Sequence, residues 1–355
     1  MTLPIGTGFA PMEAKPVSEL PDGEGWQYEP KWDGFRCLAF RDGDSVDLRS
    51  KSGQPLGRYF PEIASAMKAL GARRCVLDGE IVVPVKGELS FDDLLQRIHP
   101  AASRVERLAR ETPACFILFD LLVDERGRDL TGVPLADRRA RLEGFHRKHV
   151  ARAVRFQLSP CTRDRDVAME WLTGRAGTDG VIAKELDQPY RSGERAGMRK
   201  IKRMRTADCV VGGFRYASKG EQSGSLLLGL YDDDGLLHHV GFTSSFTNAE
   251  RPAVKARVEK LAGGAGFTGR APGGPSRWST GRSEEWVPLT PRLVVEVQYD
   301  HFSQGRFRHG TKFLRWRPDK SPRQCRFDQL DTPPSVTRPS RRSTASGPRR
   351  AARRR

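Results

Sequence analysis

The chain of 355 residues contains no run of 18 or more apolar residues and no basic-then-apolar N-terminus, so it reads as neither membrane-spanning nor led by a secretory signal. Cysteine is sparse. The six, at 37, 75, 115, 161, 209 and 325, lie far apart and form neither a CxxC pair nor a Cys/His zinc spacing, which excludes a zinc-finger module and fits a reducing, cytoplasmic compartment. Acidic residues are the other shortage: 44 Asp and Glu face 61 Lys and Arg, for a formal charge of +17. Such a chain attracts polyanions, because each phosphate that a Lys or Arg neutralises releases a condensed counterion, and nucleic acid is the favoured partner. Beyond Asp331 there is no acidic residue at all, and eight arginines from Arg338 to Arg355 lie among Pro, Ser, Ala and Gly. Residues 331–355 therefore read as a disordered basic tail that raises nonspecific affinity for nucleic acid.

What remains is long enough for two cores of roughly 100–200 residues each. Through about residue 205, short apolar runs such as Cys115–Phe119 alternate with helix-like stretches, for example Glu62–Leu70 and Asp137–His149. That pattern predicts a mixed domain over 1–205. From Ala207 onward β-rich segments follow at short spacing (Asp208–Tyr216, Ser225–Tyr231, Leu236–Phe242 and Leu293–Tyr299), interrupted by one helix candidate, Ala249–Leu261. One helix within about five strands predicts a small closed barrel of the OB type over 206–330, so the fold class is α+β with two domains.

The most informative string is Glu29-Pro30-Lys31-Trp32-Asp33-Gly34-Phe35-Arg36, which contains K-x-D-G-x-R. Alone it reads equally well as a strand ending in an Asp-Gly turn with a solvated lysine. Six further strings follow in order: Ser50-Lys51-Ser52-Gly53, Leu77-Asp78-Gly79-Glu80-Ile81-Val82, Phe119-Asp120-Leu121-Leu122, Asp179-Gly180-Val181-Ile182-Ala183-Lys184, Lys200-Ile201-Lys202 and Arg317-Pro318-Asp319-Lys320. A lysine amine attacks a phosphorus only when deprotonated, so a nucleophilic lysine needs burial or cations nearby. Lys200 and Lys202, at i and i+2, fall on one face of a strand and point the same way.

The ordered series resembles the covalent nucleotidyltransferase superfamily, which includes ATP-dependent DNA ligases, RNA ligases and mRNA capping enzymes. The stretch Arg308–Lys320 is most similar to the small bacterial ATP-dependent DNA ligases of the C and D types. The resemblance implies an adenylation domain followed by the barrel, and Lys31 as the residue that takes AMP from ATP. It implies Glu29 reading the adenine amino group, Phe119 stacking on the adenine unless it belongs to the core, and Arg36 on a phosphate or the sugar. Glu80 would serve the ribose or metal, and Asp179 the metal, Mg²⁺ with Mn²⁺ as a substitute. Lys200 and Lys202 in the ATP site, together with bound Mg²⁺, would be the positive neighbours that lower the pKa of Lys31, with Arg317 and Lys320 approaching the ATP phosphates only in the first step. The family more often carries Glu where Asp179 stands, and many ligases carry Arg where Lys51 stands for the 5′-phosphate of the nick; Arg49 is a second DNA candidate. The implied function is sealing of 5′-phosphate/3′-hydroxyl nicks in duplex DNA during repair, by a bacterial, nucleoid-associated monomer. Recruitment by Ku or another repair protein is left open. An RNA ligase, a capping-type guanylyltransferase and a non-catalytic DNA-binding module are the competing readings.

Overall fold

The structure is a computed structural model and describes residues 2–173, 178–216, 223–273 and 285–330. The basic tail lies outside the described residues.

The first 202 residues build two large sheets and a small hairpin, Pro84–Val85 with Glu88–Leu89. Five strands run in the spatial order β4-β3-β5-β6-β7, namely Ser45–Ser50 (β4), Phe35–Asp42 (β3), Arg74–Val82 (β5), Cys115–Val123 (β6) and Phe156–Leu158 (β7). Four more run β1-β9-β8-β2, namely Lys15–Pro16 (β1), Met198–Lys202 (β9), Gly180–Glu185 (β8) and Trp26–Pro30 (β2). The five-stranded sheet is covered on both faces. Along β3, Cys37 and Ala39 enter a core with the helix Pro61–Lys68 (α1) and the helix Leu135–Phe145 (α2), while Leu38 and Phe40 enter another with Met198 and Ile182 of the second sheet. Two-sided burial explains why β6 is buried at every position and apolar at all but Asp120, instead of alternating. The four-stranded sheet turns Tyr28, Val181, Ala183 and Ile201 toward the helix Arg165–Thr173 (α3), which leaves its alternate residues facing the first sheet.

The remaining strands form a mostly antiparallel sheet in the order β12-β11-β10-β13-β14: Leu237–Thr243 (β12), Ser223–Tyr231 (β11), Arg205–Tyr216 (β10), Val294–Tyr299 (β13) and Lys312–Trp316 (β14). The short strand Val287–Pro288 pairs with β10, and the helix Arg251–Glu259 (α4) packs Val254 and Val258 into the core of this sheet. Among the described residues no continuous ladder closes it. Its outer strands meet at one parallel bridge, Thr243 with Thr311. Every strand and helix expected from sequence is found within a few residues of its expected bounds; α2 ends at Phe145 because the chain continues as a π-turn over His146–Val150.

One fully buried charge fixes the α1 end of the first core. Arg97 is wholly shielded from solvent and donates to both carboxylate oxygens of Glu62 at 2.7 and 2.9 Å and to the Tyr59 carbonyl at 2.8 Å. Removing Glu62 strands that charge, so Glu62→Ala should cost about 3–5 kcal/mol in urea unfolding. An unchanged midpoint would contradict this.

Candidate active site

The pocket between the two N-terminal sheets follows from strand alternation. Glu29 of β2, Ile182 and Lys184 of β8, and Met198 and Lys200 of β9 face Arg36 of β3, Glu80 of β5 and Phe119 of β6. Lys31 follows β2 directly. It lines this pocket and also a wider cleft on the other side, as do Arg36, Lys51, Glu80 and Lys200. Glu13 lines both as well, so these six sit where the pocket opens into the cleft. Gly34, read from sequence as a turn glycine, is required for a different reason: a Cβ there would lie 2.3 Å from the Ile81 carbonyl oxygen. The close approach of chain 34 to β5 sets Lys31 beside Glu80.

The backbone of Lys31 is pinned from both sides, its N–H donating to the Gly180 carbonyl at 2.9 Å and its carbonyl accepting from Asp179 N–H at 3.1 Å. Its ammonium donates to Asp179 Oδ2 at 2.5 Å. Arg36 is paired through two donors with Asp78, each at 2.6 Å; burial opposes the guanidinium charge, but Asp78 more than offsets it and holds the group above its ordinary range. Arg36 and the Lys184 ammonium lie 4.6 and 4.8 Å from the Phe119 ring centroid. Lys184 is paired with Glu29 at 2.8 Å, and Gln27 donates to the same carboxylate at 2.9 Å. Burial pushes the Glu80 carboxyl up to about 7 against the opposing pull of Arg36 and Lys31. Burial also lowers the Lys200 ammonium, helped by repulsion from Lys51, Lys202 and Lys31.

Other expected site residues are placed elsewhere. Lys202 shares its strand face with Lys200, but its ammonium is taken by Asp300 at 2.5 Å. Burial works against ionisation of Asp300, yet hydrogen bonds from Lys202 and His309 hold its carboxyl down at about 2. Nearby, Arg308 donates to both oxygens of Asp33 at 3.0 and 2.7 Å and covers the Phe91 ring at 3.2 Å, so the chain between β13 and β14 touches the segment that carries Lys31. Arg317 and Lys320 line neither the pocket nor the cleft. Both are bound to Asp208 of β10, at 2.9 and 2.7 Å, and Arg317 also to Asp319 at 2.8 Å. Arg49 is paired with Asp47 at 2.6 Å, whereas Lys51 reaches the cleft and pairs with Glu13 at 3.0 Å.

Sequence reasoning missed Lys184, Asp78, Asp33 and Arg308 as members of this constellation. Lys184 was signalled by its i, i+2 relation to Ile182 on β8, and Asp78 by its place two residues before Glu80. Arg308 opens the stretch that most resembles the C- and D-type ligases, but no local signal gave its partner, which is 275 residues away. No group of three or more His, Cys, Asp or Glu poised for a metal occurs among the described residues.

A pocket lined by Phe119 and Trp32 that opens into a basic cleft beside Lys31, set between two sheets of a mixed α/β unit, fits a nucleotidyltransferase-type ligase domain. The chain belongs to the ATP-dependent DNA ligases: residues 11–202 match the family described as ATP dependent DNA ligase domain, and residues 219–320 match the ATP dependent DNA ligase C terminal region. It is 46% identical to DNA ligase C2 of Mycolicibacterium smegmatis, covering 94% of this chain and 97% of that one. It is 44% identical to DNA ligase C of Mycobacterium tuberculosis, covering 95% and 98%. Among solved structures, a Lig E DNA ligase shares the fold at a TM-score of 0.53 and 17% identity, covering 87% of this chain and 99% of that one.

Proposed function

We infer that the Lys31 amine attacks the α-phosphorus of ATP, releasing pyrophosphate and retaining AMP, and passes the AMP to the 5′-phosphate of a nick, after which the neighbouring 3′-hydroxyl displaces AMP and seals the strand. The observation that carries this reading is the position of Lys31 at the mouth of the pocket, where the pocket opens into the basic cleft. Glu29 and Phe119 serve the adenine, Arg36 the ribose or a phosphate, and Lys200 the phosphates. Lys51, on the cleft side, meets the 5′-phosphate, with Arg49 beside it. Lys202, Arg317 and Lys320 are each held by a carboxylate, so their use on ATP requires the C-terminal part to move.

Glu80 and Asp179 lie on either side of Lys31. A Mg²⁺ ion is usually bound through one or two carboxylates together with substrate phosphates and water, so this pair fits an ion that arrives with the nucleotide. Bound there, it would neutralise charge developing on the phosphate oxygens. The division at about 205/206, with 1–205 as adenylation domain and 206–330 as an OB-type barrel, is supported by separate cores, by the strand order of the last sheet, and by the Thr243–Thr311 bridge between its outer strands.

The test is sealing of a nicked duplex with defined ends. With ATP, a 5′-phosphate nick should be joined, and a 5′-hydroxyl nick should not; GTP should support neither joining nor covalent labelling. Labelling by GTP in place of ATP, or failure to join the phosphorylated nick, would contradict the reading.

A further inference from the structure

One wall of the nucleotide pocket comes from outside the motifs. Pro11, Met12, Glu13 and Ala14 line it, although they precede the lysine string. Residues 9–14 cross the pocket as a strap with no regular structure of their own, and a single loop, 190–195, grips them. Ser192 Oγ donates to the Ala10 carbonyl at 2.8 Å, Glu13 N–H donates to the Glu194 carbonyl at 2.8 Å, and Met12 N–H donates to the Tyr190 hydroxyl at 3.0 Å. The Phe9 and Tyr190 rings stack with centroids 6.0 Å apart.

Tyr190 does more than hold the strap. Its hydroxyl donates to Asp78 Oδ2 at 2.6 Å, the same carboxylate that fixes Arg36, and Arg36 in turn donates to the Met12 carbonyl at 3.4 Å. The Arg138 guanidinium lies 5.6 Å from the centroid of the Tyr190 ring, and Arg138 is paired with buried Asp120, the residue after Phe119. One hydroxyl thus joins the strap to the side chains that frame the Phe119 platform. Burial beside Asp78 pushes the phenol well above its ordinary range, which keeps it a donor at any working pH.

We propose that Tyr190 is a positioning residue that clamps residues 9–14 over the nucleotide pocket and so sets the affinity for ATP. It touches no reacting atom. Its effect belongs in nucleotide binding and not in the rate of phosphoryl transfer. The proposal rests on the reading of this pocket as the ATP site.

The test combines single-turnover self-adenylation with hydrogen exchange on the full chain. Tyr190→Phe keeps the ring and removes the hydroxyl, and with it both the bond from Met12 N–H and the bond to Asp78; it should raise the KM for ATP about 5–10-fold, with the maximal rate within about twofold of wild type. Ser192→Ala removes a surface bond to the same strap and endangers the fold least. It should raise KM in the same direction, by about 2–3-fold. In the wild type, ATP should slow exchange at residues 9–14, and Tyr190→Phe should diminish that protection. Unchanged KM in both variants, or a fall in maximal rate at constant KM, would overturn the proposal. So would protection of the Lys31 segment by ATP without protection of 9–14. Protection of neither segment would instead overturn the assignment of the pocket, and the strap proposal with it.

Discussion

Lys31→Ala is expected to abolish formation of the covalent adenylate, lowering its rate by about 10⁴-fold or more, while the variant still binds ATP. The large effect follows from the geometry. No other lysine of the pocket can substitute: Lys184 is consumed by Glu29 beneath the Phe119 ring, and Lys51 is held by Glu13 on the cleft side. Lys200 is the nearest chemical rival, since burial and three neighbouring ammonium groups lower its pKa. Yet it projects from the middle of the two-stranded β8–β9 ladder opposite Ile182, whereas Lys31 lies at the end of β2 with its backbone fixed at Gly180 and Asp179. Retention of ATP binding, measured by fluorescence titration or calorimetry, separates loss of the nucleophile from loss of the pocket. A variant that still labels at more than a few per cent of the wild-type rate would move the nucleophile elsewhere.

Glu80→Gln is expected to act in opposite directions on activity and stability. The native carboxyl is raised from 4.5 to about 7 by burial, so the stability of its neutral form is fully present below about pH 4.5 and is lost as pH rises through about 7. At pH 8 the wild type therefore carries a carboxylate that the fold disfavours, and the amide should stabilise the DNA-free protein by about 1–3 kcal/mol. Below pH 4.5 the two proteins should unfold at the same denaturant concentration. Adenylate formation should meanwhile fall by about 100-fold or more, because in the role proposed for Glu80 at the cation or the ribose an amide is a much weaker ligand than a carboxylate. Equal stability at pH 8 would show that Arg36 and Lys31 compensate the charge in full.

Much of this site was legible because strand alternation and motif order agree. Once Lys31 heads the series, the period of two along β8 and β9 places Ile182 with Lys184 and Met198 with Lys200, and the fold brings both pairs to the pocket. The Asp33-Gly34 pair shows where local reading fails. It resembles a turn signal, yet Gly34 is needed for its lack of a side chain against β5, and Asp33 is the partner of Arg308. The period also favours one pocket for Lys200 and Lys202, but the second lies at the end of β9, within reach of Asp300 from β13's following loop. Arg317 and Lys320 were legible as a motif and not as a location, because Asp208 captures both across the last sheet. The strap at 9–14 had neither periodicity nor motif; its place is set by hydrogen bonds to a loop about 180 residues away.

The central claim is that AMP becomes attached to Lys31 and is then handed to DNA. Incubation with α-labelled ATP and a divalent cation, followed by peptide mapping of the labelled protein, tests it most directly. The expected result is one acid-labile nucleotide on the peptide that contains Lys31, with the label chased onto the 5′-phosphate of an added nick. Label on another peptide, or a Lys31 adduct that a phosphorylated nick cannot discharge, would contradict it.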